Sequence, residues 1–418
     1  MATTSKKKKK IDFPYAKKAF ADHGLKDEIW LPSTQNEYWK YTNLSSLSRI
    51  DFFKNPNNET NLESCEFSID PYEGGSYDIF FFNGHIVETF LENFSDIDGL
   101  SVSLSGNQGN VSIDSNPLIL MNQKLKGDSI NIEVSQNTIL DKPIRLIFFS
   151  SKHRNPVAWH PGVNLKINRG SKVEVFEHYL SESNDVYWCN SLLSIELGQS
   201  AELDHYRLQE ESINAWNTSY NLVSIGENSQ YENFSLVTGA EMSRNEINLE
   251  LNGRDSICSL NGSHLVDSKR VSDTTTQIIH NAPYSKSQEK YLSILGGNSR
   301  SVLQGKIIVA REAQNIEGEQ LLRSILLSEN AEACTKPELE IYADQVKCTH
   351  GATIGQLDDS QLFYLQSRGL NLNDAKALII NGLMNDHFNL IRSKEARDLM
   401  RGAFESSLRG NLEILGTI

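Results

Sequence analysis

The sequence predicts a mainly β protein whose centre is a parallel β-helix, a solenoid of stacked coils, with helical regions on both sides. Three observations support this fold class. Apolar and polar residues alternate with period two through much of residues 76–354, as in the run from Val173 to Tyr179. Glycines recur at a nearly constant interval in the same region. After residue 355, apolar residues recur at helical spacing instead.

The glycine repeat indicates the length of one coil. Four glycines begin similar polar turns at intervals of 28, 28 and 27 residues: Gly170, Gly198, Gly226 and Gly253. About three strands, each of roughly four to six residues, would use this length and would bury their apolar faces by stacking. A β-sandwich with evenly spaced turns is the alternative. The next good match begins at Gly297, so residues 267–290 are expected to form an insertion or a wider coil.

These patterns divide the chain into three regions: an N-terminal helical and irregular region at 1–75, the β-helix at 76–354, and a C-terminal helical domain at 355–418. The first region has a helical pattern between residues 15 and 23. In the last region, Asp358 or Asp359 is suited to cap a helix that ends at Gly369. Two further helices are expected between residues 373 and 408.

Length, charge and hydropathy argue against several classes of protein. A length of 418 residues corresponds to about three units at roughly 150 residues each. The net charge of −14 is unfavourable for a nucleic-acid binder, which needs a dense positive surface. No apolar run reaches about 18 residues, so no membrane span is expected, and the lysines at 6–10 are interpreted as a solvated tail. Five cysteines without a CxxC pair are typical of a reducing compartment, so we expect a cytoplasmic protein.

Reactive side chains are concentrated in one short run. Cys348 and His350 stand two residues apart in a predicted strand, so they share one of its faces. A thiolate and an imidazole suit iron or zinc, but two ligands do not complete a site, and a second protein would supply the others. A buried thiol and a hydrogen-bonded histidine at a strand end are the alternative. No glycine-rich phosphate loop, GxSxG elbow or HExxH pair indicates a nucleotide-using enzyme or a hydrolase.

Several segments of the chain have a specific pattern. The most specific are KPELEIYAD at 336–344, CTHGATIGQLD at 348–358 and QLFYLQSRG at 361–369. Shorter ones are EYWKYTNL at 37–44, SRN at 243–245, NG at 261–262 and GKI at 305–307. Together they resemble the SufB/SufD family of iron–sulfur cluster assembly proteins. The chain is similar to the SufD branch, because SufB proteins have a glutamate where this chain has Gly351 and an upstream acceptor cysteine where residues 321–327 have none.

The resemblance implies a right-handed parallel β-helix between helical N- and C-terminal domains. It also implies a non-catalytic scaffold subunit that assembles iron–sulfur clusters together with SufB and the ATPase SufC. SufC is expected to dock on the C-terminal helices, and the β-helix is expected to pair with that of SufB. His350 is the candidate ligand for a transient cluster at this junction, and Cys348 is a weaker candidate. The isolated chain is not expected to bind a cofactor stably.

Other interpretations stay open at this point. Unpaired coil edges also allow the isolated chain to form a homodimer. A SufB-like subunit that accepts sulfur itself is an alternative, against which Gly351 and the missing upstream cysteine argue. A carbohydrate-active β-helix enzyme is the alternative from a different class. Such enzymes have clustered carboxylates along one face and are commonly exported, whereas this chain shows no obvious acid pair and no signal peptide.

Overall fold

The alternating segments form strands that stack into two parallel sheets, and the two sheets enclose an interior that we call the lumen. The computed structural model describes residues 10–22, 30–54, 72–105, 116–125 and 127–415. In this part of the chain the sheets form a parallel β-solenoid of about eight turns, which confirms the predicted fold class. Gly24, Cys65 and the lysines at 6–9 lie outside the described residues.

Successive long strands along the chain belong to the two sheets alternately. The first sheet contains β3 (Phe53–Lys54), β6 (Leu100–Leu104), β7 (Ser129–Val134), β9 (Val157–Trp159), β10 (Gly162–Ile167), β12 (Tyr187–Leu197), β14 (Trp216–Ile225), β16 (Met242–Leu251), β18 (Val271–His280), β20 (Arg300–Val309) and β22 (Glu332–Ile341). The second contains β4 (Tyr77–Phe82), β5 (His85–Ile86), β8 (Ile144–Ser150), β11 (Lys172–Ser181), β13 (Glu202–Gln209), β15 (Gln230–Val237), β17 (Ile257–Val266), β19 (Lys286–Leu295), β21 (Ile316–Leu326) and β23 (Val346–Gly355). A separate antiparallel pair joins β1 (Ile11–Asp12) to β2 (Trp30–Leu31).

Each central coil consists of two long strands, so the expectation of three short strands per coil was wrong. Strands such as β16 and β17 have ten residues each. Two facing sheets about 10 Å apart fill the space between them with their own side chains, so no third wall is needed. The lumen core accordingly alternates along every strand and includes these residues: Val175, Ile195, Leu203, Ile247, Leu260, Ile278, Ile307 and Leu322.

The coils continue without an insertion through residues 267–290, contrary to expectation. β17, β18 and β19 cover this stretch in unbroken register with their neighbours. The repeat is hidden because the left-handed position of the turn is occupied by Asn228 (φ 55°), Asp255 (φ 57°) and then Tyr284 (φ 63°). Gly297 belongs to the opposite set of turns, between β19 and β20. The glycine spacing therefore lost its register where the coil did not.

The chain covers the outer face of each sheet with its own terminal segments. The N-terminal segment, with α1 (Pro14–Asp22) and α2 (Pro117–Leu125), packs on the first sheet, where Phe13 and Phe52 contact Trp188. Three helices pack beside the second sheet: α3 (Asp359–Ser367), α4 (Leu372–Phe388) and α5 (Lys394–Leu415). Of these, α4 and α5 bury apolar residues against the sheet. No helix in the described ranges is long and apolar enough to cross a membrane.

The caps of the C-terminal helices agree with the sequence at one position and differ at another. Asp358 caps α3 by accepting a hydrogen bond from the Ser360 backbone N–H. Asn371 caps α4 by accepting from the Asp374 backbone N–H at 2.9 Å, so neither Asn373 nor Asp374 is the cap. An asparagine three residues before an acidic residue is a common helix start, and the sequence contains this signal.

A buried ion pair ties the N-terminal segment to the first sheet. The Arg244 guanidinium is completely buried and pairs with Asp273, which is buried as well. It also lies 4.0 Å from the centre of the Trp39 ring and donates to the Tyr38 carbonyl oxygen at 3.0 Å. Asp273 in turn accepts a hydrogen bond from Thr42. The pair therefore joins two strands of the solenoid to the segment that covers them.

We expect Arg244→Met to lower the free energy of unfolding by about 3–5 kcal/mol, because the buried Asp273 carboxylate loses its cation. Urea unfolding followed by circular dichroism measures the change. Arg254→Met is the matched control, because Arg254 pairs with Asp255 at the surface and its loss should cost less than about 1 kcal/mol. The double variant Arg244→Met/Asp273→Leu should recover much of the stability. Equal losses for the two arginine variants would contradict this account.

Candidate functional site

The last coil of the solenoid ends in two strand edges. Among the residues that the structure describes, β22 pairs only with β20, and β23 pairs only with β21. The backbone groups on the other side of each strand therefore face outward. Pro337 lies in β22, where an edge strand tolerates a residue that has no N–H to donate. β23 contains no proline, so all of its residues have both backbone groups available for pairing.

Cys348 projects from β23 into the lumen. It lies opposite Gly318 of β21 and packs, half-buried, against the lumen core. A Cβ atom at position 318 would lie 3.2 Å from the Cys348 Sγ, so the glycine makes room for the sulfur. Burial raises the pKa of the Cys348 thiol. At neutral pH the sulfur is therefore a protonated thiol, which is a poorer metal ligand than a thiolate.

His350 follows on the same face of β23, at the open end of the lumen. Its side chain is exposed, and it lies opposite the buried Gln320 of β21. Gln320 in turn lies opposite the buried Glu289 of β19. β23 thus places Cys348 and His350 on one face, as their spacing predicts. Their roles as ligands stay a prediction.

This face offers two donor atoms for a metal. Nowhere in the described ranges do three or more His, Cys, Asp or Glu side chains converge in a way that could hold a metal ion. The other described cysteines lie elsewhere: Cys189 and Cys258 are buried in the lumen core, and Cys334 accepts a hydrogen bond from Arg300. Cys348 and His350 together supply at most two of the four ligands that iron or zinc in a sulfur-rich site usually takes.

Five histidines away from the open end are buried and have hydrogen-bonding partners: His160, His178, His205, His264 and His280. Burial lowers the pKa of His264 to about 3 and that of His280 to about 4. Both rings are therefore neutral at physiological pH and act as hydrogen-bonding groups inside the solenoid. The sequence offered no chemical argument for these two residues, and the structure explains them by packing.

Sequence reasoning missed the two polar residues that lie beneath His350. Gln320 precedes His350 by 30 residues, and Glu289 precedes Gln320 by 31 residues. Each interval is one coil, so the three side chains form a column across β19, β21 and β23. The signal was present as polar residues at inward positions of successive coils. It was not readable, because the glycine spacing had lost its register before β19.

The C-terminal helices expose a second apolar surface. No residue of α3 is buried, and Phe363 and Tyr364 are 74% and 56% exposed. A groove of about 470 Å³ separates α3 and the start of α4 from the turn after β21. Its apolar lining consists of Leu326, Leu327, Leu357, Leu362, Phe363 and Leu372. Large exposed apolar side chains on one helix beside a groove are typical of a protein-binding surface.

Comparison with known proteins gives consistent matches. Residues 148–383 match the family model described as SUF system FeS cluster assembly, SufBD core domain. The chain is 28% identical over 356 residues to the iron–sulfur cluster assembly protein SufD of Escherichia coli, covering 84% of this chain and 83% of that protein. It is also 28% identical over 383 residues to an iron–sulfur cluster assembly SufBD family protein of Synechocystis, covering 87% and 84%. The chloroplastic protein ABCI7 of Arabidopsis thaliana is 30% identical over 282 residues, covering 66% and 59%.

We expect Cys348 to react with iodoacetamide more slowly than a free thiol at neutral pH, because its raised pKa leaves less thiolate. Its labelling rate should increase steeply only above the usual thiol pKa of about 8.5. Mass spectrometry of the Cys348 peptide measures the rate, and a short peptide with the sequence of β23 is the matched control. Equal rates for protein and peptide at neutral pH would show that burial does not suppress the thiolate.

Proposed function

Because the chain belongs to the SufBD family of SUF-system iron–sulfur cluster assembly proteins, we propose that it is the SufD-like, non-catalytic scaffold subunit of a complex with a SufB-like subunit and a SufC-like ATPase. The iron–sulfur cluster is the cargo of this complex. It forms at the junction of the two solenoid subunits and is then passed on. The open end of the solenoid, with His350 at its inner face, is the observation that carries the proposal.

The strand edges of the last coil support pairing with a SufB-like solenoid. An exposed edge presents rows of backbone donors and acceptors, and another strand satisfies them by extending the sheet. Ile354 and Tyr342 are 51% and 56% exposed beside these edges, and a paired solenoid would bury them. The same edges would accept a second copy of this chain when the partner is absent. The homodimer predicted for the isolated protein follows from the same groups.

His350 is the proposed ligand that this subunit contributes to the cluster. Its imidazole is exposed at the mouth of the lumen, where a partner solenoid would cover it. Cys348 is the weaker candidate, because its sulfur is half-buried and protonated at neutral pH. The partner would supply the remaining ligands. A site divided between two chains opens when the chains shift, so the cluster leaves without breaking the fold of either subunit.

The exposed surface of α3 is the proposed docking site for the SufC-like ATPase. Phe363 lies beside the groove and has little contact with its own chain, so a partner would bury its ring on binding. The ATPase would supply the phosphate loop that this sequence lacks. Its ATP cycle would move the two solenoid subunits relative to each other through the C-terminal helices.

The two alternatives from the sequence receive less support. A SufB-like sulfur acceptor needs a cysteine in the strand beneath β23, but β21 contains none, and Gly351 follows His350. A carbohydrate-active enzyme gains nothing from the matches above, which are to cluster assembly proteins. We therefore do not pursue either alternative.

We expect His350→Ala to abolish most cluster assembly while leaving the fold and the complex intact. The variant is co-expressed with the SufB-like and SufC-like chains of its own organism, purified anaerobically and reconstituted with iron and sulfide. Iron content and visible absorbance report the cluster. Because the imidazole is exposed, its loss should change the free energy of unfolding by less than about 0.5 kcal/mol.

The matched control for this experiment is His85→Ala, which removes a histidine from β5, near the other end of the second sheet. This variant should assemble clusters at the wild-type level. Normal cluster content in the His350→Ala complex would rule out the ligand role. Failure of the wild-type chain to co-purify with either partner would rule out the scaffold role itself.

We expect Phe363→Ala to weaken binding of the SufC-like ATPase by roughly tenfold or more, because a buried aromatic anchor is lost from the interface. Pairing with the SufB-like subunit should be unchanged. Isothermal titration of the ATPase into the purified chain measures the affinity. Phe53→Ala is the matched control, because Phe53 is 44% exposed on the opposite side of the solenoid. Equal affinities for the two variants would exclude α3 as the docking site.

A further inference from the structure

A carboxylate and an amide are stacked directly beneath His350 in the lumen. Glu289, Gln320 and His350 are register partners on β19, β21 and β23. Glu289 and Gln320 are each 1% exposed, whereas His350 faces solvent. The column therefore runs from the interior of the solenoid to its open end. None of these groups is explained by the apolar packing that fills the rest of this level.

Glu289 determines how the amide of Gln320 is oriented. Its carboxylate accepts a hydrogen bond from the Thr276 hydroxyl and another, at 3.0 Å, from Gln320 Nε2. An ionised carboxylate only accepts, so the Gln320 amide has to turn its nitrogen toward Glu289. Its oxygen then has to lie on the other side of the amide.

The structure makes room for this contact at the expense of a side chain. Gly305 of β20 faces the pair, and a Cβ atom there would lie 2.5 Å from Glu289 Oε2 and 2.9 Å from Gln320 Nε2. Both distances are shorter than van der Waals contact, so any larger residue would displace the carboxylate or the amide. The glycine therefore allows a buried carboxylate–amide pair at this level of the solenoid.

Gln320 is left with an acceptor that has no partner. Its Oε1 atom is buried and forms no hydrogen bond with any residue that the structure describes. A buried carbonyl oxygen without a donor is unfavourable and rare in folded proteins. Register partners in neighbouring strands are about 4.8 Å apart, so a rotation of the His350 side chain brings a ring nitrogen within hydrogen-bonding distance.

Building on the proposed role of His350, we infer that Gln320 is a positioning residue whose Oε1 accepts the N–H of one His350 ring nitrogen and leaves the other nitrogen free to bind iron. A neutral imidazole has one N–H and one lone pair, so fixing the proton on one nitrogen presents the lone pair on the other. Metal-binding histidines commonly donate their second N–H in this way. Glu289 acts through Gln320, because it prevents the amide from turning its nitrogen toward the imidazole.

The inference is tested on the isolated chain by ¹⁵N NMR of its histidine rings. Spectra are recorded at about pH 8.5, where an ordinary imidazole is neutral and where Glu289, whose pKa burial raises to about 7, is ionised. A His350→Ala spectrum assigns the His350 signals. The wild type should show one protonated and one unprotonated ring nitrogen, and Gln320→Leu should show two averaged signals, as in a ring that exchanges between tautomers.

Two further variants make the result specific. Gln288→Leu is the matched control, because Gln288 is the adjacent, outward-facing residue of β19 and its loss should not change the His350 signals. Glu289→Gln keeps the shape of the side chain but donates as well as accepts, so it should also move the signals toward the average. It replaces Gln320→Leu if that variant does not fold. Averaged signals in the wild type, or unchanged signals in Gln320→Leu or Glu289→Gln, would overturn the inference.

The outcome is independent of the cluster experiment. If His350→Ala prevents cluster assembly but the tautomer is not fixed, only the role of Gln320 is wrong. If the tautomer is fixed but His350→Ala assembles clusters normally, the ligand role is wrong and the hydrogen bond is a structural contact.

Discussion

Stacking is the constraint on which the rest of this structure depends. A coil buries its inward side chains only when another coil lies on top of it, so the last coil is necessarily incomplete. The effect is visible within one column, where Ser324 of β21 is 1% exposed and its register partner Ile354 of β23 is 51% exposed. The apolar Ile354 is left to solvent, and the polar Ser324 is covered. The last coil therefore has the composition of an interface and not that of a terminal cap.

The terminal segments leave this end as the main free surface of the solenoid. The N-terminal segment covers the outer face of the first sheet, where Arg244 and Trp39 attach it, and α4 and α5 cover the outer face of the second. Neither segment covers the edges of β22 and β23. The chain thus satisfies its own side surfaces internally and leaves its end to another chain. This arrangement separates the interactions that stabilise the subunit from those that assemble a complex.

The sequence was sufficient to predict the features that depend on local periodicity. Alternation predicted the solenoid strands, apolar spacing predicted three C-terminal helices, and a spacing of two placed Cys348 and His350 on one face. It was not sufficient for features that depend on how coils align. The left-handed turn position accepts residues other than glycine, so Tyr284 concealed the repeat at the coil that introduces Glu289. The column beneath His350 could not be predicted, because coil length varies and a single sequence does not show the register.

The variable coil length also explains why the exposed turns near the open end are not free to change. His350 lies above Gln320 because the turn between β22 and β23 has one particular length. Side chains alternate between the two faces of a strand, so one additional residue in that turn would move both Cys348 and His350 to the outer face. The composition of the turn is unimportant by comparison, since its residues lie at the surface. The chemistry of the open end thus depends on the number of residues in a turn that touches neither the cluster nor the partner.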